Sequence, residues 1–431
     1  MSRILALLAL GTAACGGGAR PGPVTPAEVT TLEADARKFA DDPDVLTRIG
    51  IRYYEAQLYD RAEAVLTAAL GLRPAFATAV YLGLAQEGLE RFDEAETAYR
   101  AAQTFSLSRG QREELDRRLV ALSRARLRLE ARRAIAREAQ LSSDPPRPNS
   151  VAVLPWDFVG ANRRLQPLGA GVPHLLMTDL GKISTLTLVE RERVQVLLDE
   201  LALSRSGKVD SAAAVRSGRL LRAEWVVAGV VRETEGGVQL EARVFRTRDA
   251  AEQASGSTRD RVEQLFAMEK QLVLNLIDQL GVTVTPAERR AVTERPTADL
   301  QAFLAFSEGL SAQARGDYRT AGGLFALATG RDPAFGVARD VARLNQGLLG
   351  AQRSSPAALA RIANPASLTS AELRTASLLG AMDVIAPSTA GEVDLRTRSP
   401  ISTPQLPEAL RQDNPSRIAI IGEIIIIIPR P

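Results

Sequence analysis

The 431-residue chain holds one cysteine, Cys15, and one histidine, His174. With no second cysteine, an internal disulfide is excluded. A metal at His174 would have only carboxylates as co-ligands, because no second imidazole or thiol exists to join it. A serine-type triad lacks its Gly-x-Ser-x-Gly elbow. Gly169-Ala170-Gly171 lacks the further glycine and the lysine-serine ending of a phosphate loop. His174, just after Pro173, therefore reads as a helix-face side chain. Charge of one sign is missing too: 54 basic against 51 acidic residues leave a net +3, which designates no polyanionic partner. No apolar run is long enough to cross a bilayer as a helix. No catalytic residue, cofactor site or metal ligand is predicted, and the chain is expected not to be an enzyme.

What is present begins with a secretory pattern. Met1 to Arg3 is basic, Ile4 to Leu10 apolar, and Thr12-Ala13-Ala14 small, ending at Cys15. Cys15 followed by Gly16-Gly17-Gly18 resembles the lipobox of bacterial lipoproteins, with Thr12 where leucine is usual. That resemblance implies a signal peptide over 1–15 and a diacylated Cys15 holding the protein to a membrane. Cleavage without acylation would instead release it into the periplasm. Gly16, in place of an aspartate, implies sorting to the outer membrane. The glycine- and proline-rich stretch after Cys15 predicts a flexible tether over 16–28.

Between 29 and 141 the signal is a repeat. Leu46, Gly50, Tyr53, Ala62, Leu66, Ala69 and Pro74 fall where a tetratricopeptide unit places its packing residues, and Ala79, Gly83, Ala95, Tyr99 and Ala102 recur 33 residues on from Leu46, Gly50, Ala62, Leu66 and Ala69. Small residues at Gly50 and Ala62 let antiparallel helices approach, Leu66 and Tyr53 fill the seam, and Pro74 stops the second helix. Gly309, Ala321, Phe325, Ala328 and Pro333 take the same places in a third unit over 297–350, with Tyr318 matching Tyr59. One repeat cannot bury its apolar face alone. The third unit is expected to pack on a helix around Gly336 to Gly347 and on the N-terminal pair. Unrelated hairpins with alanines at the contact are the alternative. Arg48, Arg52, Gln86 and Glu87, on the inner helices, are the candidates for lining a peptide groove. The helix predicted from about Arg112 to Gln140 is crowded with arginine, which reads as a solvated linking face, with an anionic surface or nucleic acid as the other readings.

Prolines 145, 146 and 148 mark a boundary, after which strands alternate with helices before an antiparallel hairpin around Glu235-Gly236-Gly237. Strands are predicted at Val151 to Pro155, Leu186 to Glu190, Trp225 to Glu233 and Val238 to Thr247. Helices are predicted at Gly169 to Ile183, Val194 to Leu203, Ser211 to Arg222 and Arg261 to Leu280. The ordered set Ala152-Val153-Leu154-Pro155-Trp156-Asp157-Phe158, Leu188-Val189-Glu190-Arg191, Leu197-Leu198-Asp199-Glu200-Leu201, Ser206-Gly207, Val209-Asp210, Gly218-Arg219-Leu220-Leu221-Arg222-Ala223 and Val226-Val227-Ala228-Gly229-Val230-Val231 resembles the curli-secretion lipoprotein family (CsgG/HfaB). Its opening strand is also similar to the N-terminal domain of the Tol-system β-propeller protein. The resemblance implies a mixed sheet packed with helices over 150–282 and a role in the cell envelope. The long amphipathic hairpins with which that family builds a transmembrane barrel have no counterpart in these short connections. Gly218 and Gly229 are expected to permit close contacts, and Glu190-Arg191 to pair by charge.

The expected fold class is thus α+β and multidomain, with α-helical tetratricopeptide hairpins flanking a mixed α/β domain. A low-complexity tail is predicted over 351–431, with a helix at Ser370 to Met382, an extended Pro387 to Pro415, and an isoleucine-rich end that would add to a sheet edge in this molecule or a partner. The function expected from sequence is a lipid-anchored periplasmic scaffold. It would dock envelope proteins, need no cofactor and bind no nucleic acid, and self-association stays open. A subunit of a curli-type outer-membrane secretion channel is the alternative.

Overall fold

The computed structural model describes residues 25–141, 144–201, 211–364, 418–421 and 424–427. Cys15, Ser206 to Asp210, Ser370 to Met382 and Pro387 to Pro415, each given a role above, lie outside them. The described residues form two compact units, one reaching Gln111 and including 360–364, the other running from Arg112 to Leu359 and including the C-terminal strands.

The first unit is a row of antiparallel helices: α1 (Pro26–Lys38), α2 (Pro43–Glu55), α3 (Tyr59–Leu72), α4 (Phe76–Gly88) and α5 (Phe92–Gln103). Thr25 and Asp42 cap α1 and α2, each followed by a proline whose missing N–H costs nothing in a first turn. Because α1 starts at Pro26, the last three residues assigned to the tether are helical. Both hairpins turn alike. Leu58 N–H donates to Tyr53 O and Arg91 N–H to Gln86 O, both at 2.9 Å, across left-handed Gln57 (φ 61°) and Glu90 (φ 58°). From Thr78 to Gln86 every residue of α4 is buried, so it is the central helix of the row.

The second unit starts within α6 (Arg109–Ala136) and α7 (Glu138–Leu141), followed by β1 (Arg147–Val153), β2 (Asp157–Val159), α8 (Leu168–Leu180), β3 (Thr187–Leu188), α9 (Arg191–Glu200), α10 (Ser211–Leu220), β4 (Ala223–Thr234), β5 (Gly237–Arg246) and β6 (Glu252–Asp260). A single 3-10 turn then leads into α11 (Leu265–Gln279), α12 (Pro286–Thr293), α13 (Leu300–Ala314), α14 (Tyr318–Arg331), α15 (Gly336–Ala351) and α16 (Pro356–Ala363). The sheet runs β3-β1-β4-β5-β6, with β2 pairing β4 beyond the end of β1. β1 is parallel to β3 and β4, β2 is parallel to β4, and β4, β5 and β6 are antiparallel. One face, with Val153, Val227, Leu240 and Val244, is buried in a common core with α8, α11 and α13. The other, with Ala152, Val226, Ala228 and Phe245, lies under α9, α10 and the α6 residues Leu127 and Ala131. The molecule is therefore α+β, a mixed sheet between helical layers with helical hairpins before and after it.

Several expectations are corrected here. The arginine-rich helix is solvated along one part, where Arg128, Arg132, Arg133 and Arg137 are exposed, and packs along another: Arg118 is buried, Arg124 pairs with Glu192 at 2.8 Å and Glu130 with Arg193 at 3.2 Å, while Glu138 just beyond it pairs with Arg216 at 2.7 Å. The third hairpin, α13–α14, packs on α15 as its periodicity required, and its other face is buried on α8, a partner the sequence did not point to. β6 was missed because only Ala254 of Glu252–Asp260 is buried and the segment has a single β-branched residue; pairing along β5 makes it a strand. α12 was missed as well, although Thr285 and Glu288 form a reciprocal capping box at its start. α16 begins inside the stretch read as tail. At the C-terminus β7 (Ile418–Ile421) and β8 (Ile424–Ile427) pair with each other in their own two-stranded sheet, so the segment does not extend the edge of the six-stranded one.

Candidate functional site

The repeat positions come together in pairs. A Cβ added to Gly83 would meet Tyr99 Cε1 at 2.5 Å, and one added to Gly309 would meet Phe325 Cε1 at 2.5 Å; at Gly50 it would run into Leu66 just as closely. Each glycine thus receives the ring or branched end of the residue sixteen places on, in the facing helix. Ala62, Leu66, Ala69, Ala95, Tyr99, Ala102, Ala321, Phe325 and Ala328 are all fully buried, and Leu46 and Tyr53 nearly so. Pro74 and Pro333 lie just beyond the ends of α3 and α14. The third hairpin turns as the first two do: Asp317 N–H donates to Ala312 O at 3.0 Å across left-handed Gly316 (φ 76°). Gln57, Glu90 and Gly316 each stand seven residues after the packing glycine.

The four groove candidates are largely engaged inside their own unit. Arg52 donates to Glu28 of α1 at 2.8 Å, Gln86 is buried with its amide on Glu63 at 3.3 Å, and Glu87 accepts from Tyr99 Oη at 2.9 Å. Only Arg48 is a plainly exposed member of the set.

The cleft that sequence reasoning missed lies in the second unit. From β1 the chain crosses through α8 to β3 on one side, then through α9 and α10 to β4 on the other. Ligands of α/β sheets gather beyond the carboxyl ends of strands where the connections part in this way. Here a cleft of about 1250 Å³ opens, walled by Val153 to Phe158, the first turns of α8 and α9, α10, and Glu308 to Arg315 of α13. Trp156 forms its floor. The ring lies on Gly229 of β4, where a Cβ would meet Cδ2 at 2.5 Å, and the backbone N–H of Trp156 donates to Gly169 O at 3.0 Å. Gly169 and Gly171 are helix-packing positions, not a phosphate loop: Gly169 abuts the Trp156 backbone, and Gly171 faces Ser307 and Phe303 of α13.

Two polar atoms of this wall, Trp156 Nε1 and His174 Nδ1, are buried without a hydrogen-bond partner. The His174 ring meets Phe306 edge-on at 5.3 Å. Burial, and then the positive Arg191, push its pKa down to about 3, so the imidazole is neutral near pH 7. It is therefore a cleft-wall side chain in contact with α13. Arg191 donates to Leu310 O at 3.1 Å and to Gln313, so its guanidinium serves α13 rather than the expected pair with Glu190. Burial also raises the pKa of Asp157.

A separate charged cluster sits inside the α8–α11 contact. Asp179 accepts from Lys270 and from Lys182 at 2.8 Å, and Lys270 pairs with Glu269 at 3.2 Å, while Lys182 also reaches Ala291 O of α12 at 2.8 Å. Glu269 is fully buried, and burial followed by the neighbouring Asp179 pushes its pKa up to about 8. Among the described residues no group of three or more His, Cys, Asp or Glu is arranged to hold a metal, and no helix is long and apolar enough to cross a membrane.

The middle of the chain is similar to known proteins. Residues 149–263, a little over a quarter of the sequence, match the family model described as "Curli production assembly/transport component CsgG". The matched stretch runs from β1 to the turn before α11, which is the sheet with α8, α9 and α10. Among solved structures the chain is similar to the LpoB C-terminal domain from Salmonella enterica, at 14% identity over 30% of this chain and 93% of that one, with a TM-score of 0.23. No curated protein matches the chain.

Proposed function

We propose that this chain is a non-enzymatic scaffold of the bacterial cell envelope. Its helical hairpins are tetratricopeptide units that dock proteins, and its CsgG-like domain takes part in envelope assembly. The observation that carries the scaffold reading is the threefold recurrence of one contact and one turn: Gly50 on Leu66, Gly83 on Tyr99 and Gly309 on Phe325, with Gln57, Glu90 and Gly316 in the left-handed conformation. Shape recurs at these positions, whereas reactive groups do not. The match of 149–263 to a component of curli production, assembly and transport supports an envelope setting. In this reading Cys15 is acylated and tethers the protein to the periplasmic face of the outer membrane.

The test is crosslinking in intact cells followed by purification of the tagged full chain, beside a Cys15→Ser variant. Recovery of the same envelope protein in repeated experiments, and release of Cys15→Ser from the membrane fraction, are the expected results. A wild-type protein that fractionates with the cytosol and crosslinks to no envelope protein would end the proposal.

A further inference from the structure

Resting on the scaffold reading, we infer that the cleft above Trp156 is a docking site for an extended peptide segment of a partner protein. This is a second docking surface, in the CsgG-like domain rather than on the hairpins.

The lining selects the occupant. Three arginines (Arg163, Arg191, Arg315) and three carboxylates (Asp157, Asp199, Glu308) stand in an otherwise largely apolar wall. Phosphate or nucleotide sites concentrate donors and positive charge, and this balanced lining offers neither in excess. A peptide backbone is neutral and carries donors and acceptors in alternation. At about 1250 Å³ the cleft is larger than the ~300–1,000 Å³ that a drug-sized ligand fills.

The floor supplies the specific contact. Trp156 is 5% exposed, and its Nε1 is a donor with no acceptor, an arrangement that costs roughly 1–3 kcal/mol when left unmet. Indole N–H can only donate, so what it lacks is an oxygen such as a peptide carbonyl. His174, neutral and with Nδ1 likewise buried and unpartnered, stands on the α8 wall. The cleft borders β2, whose described pairing is to β4 alone, and Asp157 and Phe158 of that strand belong to the wall. An extended segment is the ligand that meets an edge strand with its backbone.

The probe is a random heptapeptide library displayed on phage, panned on the full-length protein. Selected peptides are then synthesised and titrated against a Trp225→Phe protein, in which Trp156 is the sole indole. Expected are a saturable shift of Trp156 emission and an affinity weakened about tenfold or more, equivalent to ~1.4 kcal/mol, by Gln195→Phe and by Ser311→Phe, which fill the cleft from opposite walls. Arg248→Ala, at an exposed residue of the turn between β5 and β6 outside the cleft, is expected to leave binding unchanged. Failure to enrich any peptide, or peptides that bind both filled variants as tightly as wild type, overturns the inference. So does binding of chitotetraose with loss in both filled variants, which would make the cleft a glycan site. The crosslinking test above is read independently, so an empty cleft leaves docking by the hairpins standing.

Discussion

The N-terminal hairpins and the α13–α14 hairpin share one local code and have different neighbours. In α2–α3 and α4–α5 the glycine contact joins hairpins that pack side by side. In α13–α14 the same contact, Gly309 on Phe325, belongs to a core that continues through Phe303 and Phe306 into α8 and the sheet. Phe306 alone meets Phe303, Phe325, Phe335 and His174. A repeat unit is thus a way of joining two helices, and what it is for depends on which side chains its outer face presents. The alanines and Tyr81 of α4 suit another hairpin, whereas the phenylalanines of α13 suit a sheet layer.

The comparison is broken most forcefully by removing an aromatic on each side. Phe306→Ala is expected to destabilise the second unit by about 3–5 kcal/mol and to lower the melting of the sheet with it. Tyr99→Ala should cost a similar ~3–5 kcal/mol confined to the first unit. Calorimetry combined with amide exchange of β4 and α4 checks this, and a Phe306→Ala protein whose sheet keeps its protection would show that the third hairpin is an appendage. Adding a Cβ gives the next effect: Gly83→Ala and Gly309→Ala should each cost about 1–3 kcal/mol by overpacking, read from denaturant midpoints.

A pH scan separates the units by chemistry. Glu269 has an ordinary pKa of 4.5 when unfolded and about 8 when folded, so the folded state keeps its proton longer. Its contribution is complete below about 4.5 and fades as pH rises towards 8, a slope that should belong to the second unit and vanish in Glu269→Gln. His174 works in the opposite direction. Its pKa falls from 6.5 to about 3 on folding, so stability is lost as pH drops through that window, and His174→Phe should flatten the acid side. The smallest effect sits in the shared turn. Gln57→Gly and Glu90→Gly should stabilise the first unit by up to ~1 kcal/mol each, since glycine takes positive φ without strain, as Gly316 already does in the third. Thermal melts of the single variants check this against an unchanged second unit.

Much of the helical architecture was legible because its cause is local. Pro74 and the recurring glycine and alanine positions act within one hairpin, and periodicity betrays a buried stripe wherever the partner helix is near in sequence. The hairpin of β4 and β5 was equally readable from its alternation and from Gly236 at its turn, where φ is 83°. β6 was illegible because its polar residues become a strand only by pairing with β5. The cleft left no pattern either: Trp156, His174, Arg191 and Ser311 stand far apart in the chain and carry no shared motif.

By itself, then, the sequence determined most of the helices and the strands β1, β4 and β5, that three hairpins use the same joint, and that the middle stretch resembles the curli-secretion family. Tertiary structure alone decided that the third hairpin closes the sheet's core, that Arg118 and Arg124 of α6 are packing residues while other arginines of that helix stay exposed, and that Trp156 and His174 keep unmet polar atoms beside a cleft. The reason is range. Backbone sterics and periodic burial act over a few residues and leave a regular trace in the chain, whereas a cleft or a buried charge cluster is made by side chains from distant segments, whose meeting no spacing encodes.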